Sequence, residues 1–329
     1  MSVKQTILKH RKKALFIGLY LVFLIGVLFF FKVGTPPRGD VGVYKGIVKG
    51  DNTGFWGLTI LFSAPAIKEG GVNIVIDEVP FFVDYDGNVR EFPFFRQIIM
   101  HNIKAAHRSG LRYGFVLQET YIPGRPGGIT IPERAWPTFF PQWNEMILKY
   151  AALAERNGVE IFGPWVEGEC ALGLEILVED DSIRGYEKAS DWGQEILYKI
   201  KERYSGNVLW RAGITQVGPE RPDSNARWDT FRDEVYMNFT GYDYIGFTIY
   251  PNWVADFVHG DPDSERRYRD YMNEVIDYLL EIAERDGCKG VIATEFAEER
   301  VFEEGLGKLS GFFYYFTEPA KMWYSERFP

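Results

Sequence analysis

The sequence predicts a parallel (β/α)₈ barrel standing behind an amino-terminal apolar segment. From Tyr44 onward, short β-rich runs alternate with amphipathic helical stretches, the pattern of a parallel α/β fold. There are eight such runs, the number that a closed barrel of this kind takes. No Gly-rich phosphate fingerprint follows the first of them, which argues against the other expectation, a doubly wound open sheet. Beyond the first 41 of the 329 residues, 288 remain, enough for a single barrel of roughly 250 residues.

The elements follow in chain order. Residues 1–13 end in the basic cluster Lys9-His10-Arg11-Lys12-Lys13, ahead of an uncharged run from Ala14 to Phe31. As a helix, that run spans roughly 27 Å, close to the hydrocarbon thickness of a bilayer. It predicts a transmembrane anchor over residues 14–32, with the basic flank in the cytoplasm and everything after Lys32 outside. A cleaved signal peptide is the alternative; against it, Phe29-Phe30-Phe31-Lys32-Val33 offers no small-x-small cleavage site. Residues 33–42, with Pro36 and Pro37, read as a linker, and 43–329 as the barrel.

Candidate strands are Gly54–Ile60, Val72–Glu78, Tyr113–Gln118, Val159–Trp165, Val208–Ile214, Tyr244–Ile249, Gly290–Thr294 and Gly311–Phe316. Candidate helices are Phe94 to Ser109, Trp143 to Gly158, Asp191 to Tyr204 and Arg266 to Asp286. In the second, Met146, Ile147, Tyr150, Ala151 and Ala154 share one face, and Asn157-Gly158 supplies a stop. Between Thr294 and Gly311 there is hardly room for a regular seventh helix, and only 13 residues follow Phe316. The barrel is therefore expected to have a missing or shortened helix near its carboxyl end.

Charge and cysteine content exclude several functions. Residues 1–41 take seven of the 37 Lys/Arg and one of the 46 Asp/Glu, leaving 30 basic against 45 acidic residues, a net of −15. An acidic body repels phosphate backbones, so no nucleic-acid partner is expected. The four histidines are scattered and the two cysteines stand far apart, so no zinc site is expected, and two-carboxylate chemistry at the strand ends implies neither a metal nor an organic cofactor. Cys170 and Cys288 fall at opposite rims of the expected barrel, which argues against a disulfide.

Barrel active sites lie at the carboxyl ends of the strands. Those ends carry Glu78, Glu119, Glu167, Glu169, Arg211 and Glu295, with Trp165, Tyr250, Trp253 and Tyr314 among them. Carboxylates framed by aromatics suit glycoside cleavage: one carboxyl protonates the leaving oxygen, and another attacks or activates water. Rings such as Trp165 and Trp253 suit stacking on sugars, or ordinary packing. Glu119 and Arg211 suit orientation of a substrate, or an interior ion pair.

Three segments resemble those of clan A glycoside hydrolases. Gly290-Val-Ile-Ala-Thr-Glu295-Phe-Ala resembles their seventh strand, which implies that Glu295 is a nucleophile. Asp243-Tyr-Ile-Gly-Phe-Thr-Ile-Tyr250-Pro resembles their sixth, which ends in a Tyr beside it. Val159-Glu-Ile-Phe-Gly-Pro-Trp-Val-Glu167-Gly-Glu169 resembles the fourth, which carries the acid/base. Ungapped alignment of that strand selects Glu167, whereas a small residue just before the acid selects Glu169. Strand alternation puts both on one face and leaves the choice open. The chain is most similar in flavour to glycoside hydrolase family 113, the retaining β-mannanases. It departs from the clan on the eighth strand, where Tyr314 and Tyr315 stand in place of the usual Trp.

The resemblance implies a glycosidase that hydrolyses a β-linked glycan with retention, and the apolar segment with its basic flank makes it membrane-anchored and extracytoplasmic. Its nucleophile and acid/base carboxyls would lie about 5–5.5 Å apart. The alternative is a barrel without catalysis, serving as a surface glycan-binding or assembly protein.

Overall fold

The computed structural model describes residues 46–49, 72–120, 131–173, 179–213, 237–249, 258 and 261–296. The strands are β1 (Gly46–Lys49), β2 (Ile74–Val83), β3 (Val89–Glu91), β4 (Arg112–Thr120), β5 (Ile161–Gly163), β6 (Asn207–Ala212), β7 (Tyr244–Ile249) and β8 (Gly290–Phe296). The α-helices are α1 (Phe95–Arg108), α2 (Trp136–Asn157), α3 (Gly168–Gly173), α4 (Glu179–Lys201) and α5 (Pro262–Asp286).

Seven strands pair in parallel in the order β1-β2-β4-β5-β6-β7-β8. The sheet therefore advances in one direction, without the reversal that defines a doubly wound fold. β3 returns antiparallel along the far end of β2, where Phe82 faces Arg90. Neither β1 nor this hairpin was singled out from the sequence. The candidate strands Gly54–Ile60 and Gly311–Phe316, the expected loss of carboxyl-terminal helix and the 14–32 anchor all lie outside the described residues. Among the described residues, no helix is long and apolar enough to cross a membrane.

Period-2 alternation sorts the strand residues into two layers. Ile74 and Ile76 of β2, Val116 of β4, Ile161 of β5 and Leu209 of β6 form an inner cluster, against which Tyr244 and Ile292 pack. Their neighbours Val75, Phe115, Phe162, Trp210 and Ile245 face the helices, meeting Ile99 and Ile103 of α1, Trp143 and Tyr150 of α2, Trp192 of α4 and Leu279 of α5. With both faces covered, the strands read as nearly continuous apolar runs.

The helix boundaries have local causes. α2 begins earlier than the apolar periodicity indicates, because Pro137 opens its first turn, where a missing N–H costs nothing. It stops at Gly158, whose φ of 63° is the left-handed conformation that glycine adopts without penalty. α5 is capped by Asp261, whose carboxylate accepts the Ser264 N–H at 3.0 Å, and it ends at Gly287 with φ 73°.

Gly246 marks a close approach inside the sheet. A Cβ there would stand 2.7 Å from Thr294 Cγ2 and 3.2 Å from Leu209 Cδ1. Gly246→Ala is expected to cost about 1–3 kcal/mol by overpacking, read as a lower urea midpoint at unchanged slope. An unchanged midpoint would mean that the inner layer has slack.

Candidate active site

The end of β5 sets the geometry. Glu160 N–H donates to Tyr113 O at 2.7 Å, whereas Val166 N–H donates to Leu117 O at 2.8 Å. β5 has thus gained two residues on β4, Pro164 and Trp165. Proline has no N–H to give the ladder, so the chain bulges there. The bulge sends Trp165 outward among Phe139, Trp143 and Trp192, with ring centroids 5.2, 5.6 and 5.1 Å away. Val166 returns to the inner layer and bridges to Arg211 of β6.

Glu167 follows, with its N–H on Arg211 O at 2.9 Å and a φ of 51°, left-handed for a residue with a side chain. Gly168 then opens α3 against the Trp165 indole, where a Cβ would lie 2.5 Å from the ring. Glu169 sits in the first turn of that helix. This corrects the reading of a single strand from Val159 to Trp165 that keeps Glu167 and Glu169 on one face. The chain turns between them, and strand alternation does not apply.

The turn gathers three carboxyls. Glu119, half-buried at the end of β4, accepts the Trp165 indole N–H. Burial, with the nearby Glu167 and Glu169 charges adding, pushes it up to about 8. Glu169 is 1% exposed and accepts the Gly213 N–H just beyond β6. Burial also pushes it up to about 8, and the Glu167 charge contributes. Glu167 is 9% exposed. Two neighbours that hold protons near neutrality, around a third carboxyl, are what like charges crowded in a desolvated pocket produce.

These shifts have a consequence for stability. Both folded-state values lie above the ordinary 4.5, so the folded chain binds more protons than the unfolded chain between about 4.5 and 8. The stabilisation is complete below 4.5 and is lost as pH rises through 8. The Tm is expected to fall across that window, and Glu169→Gln to flatten the fall. An equal slope in the variant would refute the shift at Glu169.

Beneath the cluster, Arg211 of β6 reaches across the inner layer to Glu78 of β2, both buried. Arg211 is 1% exposed and belongs to this interior pair, the second of the roles foreseen for it. Arg211→Met removes the guanidinium from this buried pair and is expected to cost about 3–5 kcal/mol in urea unfolding. Glu78→Gln added to it should recover most of the loss. Failure of that recovery would mean that packing, not charge, dominates the pair.

Trp165 likewise has no exposed surface; it is a wall of the core whose N–H holds Glu119. Its expected role as a sugar platform is therefore corrected. Tyr250, Trp253 and Tyr314 lie outside the described residues. Glu295 lies on β8, where the register shifts: Phe247 pairs with Ala293, but Thr248 pairs with Glu295. Simple alternation from the inner residue Ile292 would assign Glu295 to the outer face. The register shift at Thr294 instead pairs Glu295 with Thr248 along the strand. Thr294 is 1% exposed and its hydroxyl donates to Phe247 O at 2.9 Å, which fixes the bulge. Among the described residues, no group of three or more His, Cys, Asp or Glu could hold a metal ion.

No protein-family model and no curated protein matches this chain. Solved structures do. A family 113 β-mannanase from Alicyclobacillus acidocaldarius, in complex with ManMIm, superposes with a TM-score of 0.53 at 17% identity, covering 78% of this chain and 72% of that one. A GH5-4 broad-specificity endoglucanase from an uncultured bacterium gives 0.54 at 11% identity, covering 83% and 78%. A family 5 lichenase from Caldicellulosiruptor sp. F32, in complex with cellotetraose, gives 0.51 at 13% identity, covering 80% of each chain. These belong to the group whose strand motifs the sequence resembles, and at such identities the likeness is one of fold. The chain shares the barrel fold of glycoside hydrolase families 113 and 5.

Proposed function

We propose that residues 43–329 form a retaining glycoside hydrolase acting on a β-linked glycan, held outside the cytoplasm by the helix of residues 14–32. In this reading Glu295 attacks the anomeric carbon and forms a glycosyl ester. Glu167 protonates the departing oxygen and then takes a proton from the water that hydrolyses the ester. The observation that carries the reading is the carboxyl cluster after β4 and β5. Glu119 and Glu169, both pushed up to about 8, surround Glu167 at the rim where barrel enzymes work. A carboxyl at this rim can hand a proton to a departing oxygen, the role of a general acid. Glu167 is preferred to Glu169 as the acid because it is the more exposed of the two.

The test is hydrolysis of a panel of aryl β-glycosides and of β-mannans and β-glucans by the full chain in detergent. The anomer released first would be followed by NMR. Release of the β anomer supports retention, and release of the α anomer would overturn it. Glycan binding without hydrolysis would favour the second reading, a binding barrel. Retention of the chain in carbonate-washed membranes, with the barrel open to external protease, checks the anchor.

A further inference from the structure

We infer that Glu169 is a positioning residue, whose carboxyl latches the turn after β5 to the end of β6 and so fixes where Glu167 stands. The inference rests on the assignment of the acid/base to Glu167. Two bonds run side by side from this turn to β6: Glu167 N–H to Arg211 O at 2.9 Å, and Gly213 N–H to the Glu169 carboxyl. The first is backbone to backbone and holds one edge of the turn. The second is the only one of the two that a side-chain substitution can remove.

Glu167 needs such support. Its φ of 51° is left-handed backbone, which is unfavourable for a residue with a Cβ. A strained conformation persists only when its surroundings over-determine it. On one side, the two-residue bulge delivers the chain from Val166. On the other, Gly168 is wedged against the Trp165 ring and Glu167 O accepts the Ala171 N–H at 3.2 Å, which starts α3. Glu169 closes this frame. At 1% exposure it faces protein, as a latch does. The titratable groups that bear on it are Glu167 in its own turn and Glu119 at the end of β4, and Trp210 approaches it from β6. Near neutral pH it holds its proton, so glutamine reproduces both its charge and its acceptor oxygen.

The experiment compares Glu169→Gln with Glu169→Ala in the full chain. Glu169→Gln is expected to keep kcat within about threefold of the parent. Glu169→Ala should lower kcat about 100-fold, the scale of an ångström misplacement, with KM little changed. The loss should be larger for poor leaving groups than for good ones, because a displaced Glu167 delivers its proton less well where the departing oxygen needs it. In hydrogen exchange, the Gly213 amide should open at least about 10-fold faster in Glu169→Ala and be unchanged in Glu169→Gln. If the alanine variant does not fold, Glu169→Met fills the space without accepting the bond and takes its place. Glu169→Gln as damaging as Glu169→Ala would overturn the latch, and so would unaltered exchange in the alanine variant. A parent chain that cleaves no glycoside would sink the proposed function alone, since the exchange comparison still decides the latch.

Discussion

Glu295→Gln is expected to lower turnover of whichever β-glycoside the chain cleaves by at least about 10⁴-fold, the scale on which losing a covalent nucleophile is felt. The reason begins with β8. Gly290–Phe296 is an apolar run whose only carboxylate is Glu295, and the shift at Thr294 sets that residue opposite Thr248 on β7. A glutamine amide matches the carboxylate in size but cannot form the glycosyl ester, so the first displacement stops while binding survives. KM should therefore change far less than kcat. Glu295→Ala leaves room for azide, which attacks the same carbon from the vacated side and yields the glycosyl azide of inverted configuration. Full activity in Glu295→Gln would move the nucleophile elsewhere on the rim. The strand itself should tolerate the change, so an unaltered Tm would separate this loss from unfolding.

Much of the fold was legible because two periods dominate the chain. β7 was anticipated at both ends, and α1 to within a residue of each, because β-branched runs and an amphipathic stripe coincide there with sharp boundaries. The sequential parallel order followed from the alternation of strand and helix. What the periods cannot register is an inserted residue. The bulge of Pro164 and Trp165 leaves composition and alternation apparently intact, yet it sends Trp165 into the core and turns Glu167 out of the strand. Pro164 was the signal that this could happen, since it cannot donate to the ladder. Thr294 does the same on β8 with no proline to mark it.

The same limit explains the site. The sequence gathered Glu119, Glu167, Glu169, Arg211 and Glu78 at strand ends by position alone, and the structure draws them together. Their division of labour depends on contacts that no spacing encodes. Glu119 is held by Trp165, Arg211 is committed to Glu78, and Glu169 to the Gly213 amide. Each partner comes from another segment of the chain, so the packing of the sheet, not any spacing, shows which contact holds each of these side chains.

Glu167→Ala is expected to lose about 10²–10⁴-fold on glycans and alkyl glycosides, the usual contribution of a general acid. The loss should be smaller on an aryl glycoside with a strongly acidic phenol. The asymmetry follows from the chemistry at the departing oxygen. A dinitrophenolate leaves without a proton, so the first step stays fast and only the second, which needs Glu167 as base, is slowed. The glycosyl ester should then accumulate. Azide should restore turnover, because it needs no base, and should give the β-glycosyl azide, opposite in configuration to the product from Glu295→Ala. The pH profile sharpens the assignment: an acid must be protonated to act, so kcat/KM for poor leaving groups should fall on the alkaline side as Glu167 ionises. That limb should vanish in the alanine variant. Glu169 provides the contrast through its glutamine variant, which keeps the bond to Gly213 and should leave every leaving group and the alkaline limb close to the parent. If leaving-group dependence, azide rescue and loss of the alkaline limb instead appear in Glu169→Gln, then the carboxyl in the first turn of α3 is the acid and Glu167 is its neighbour.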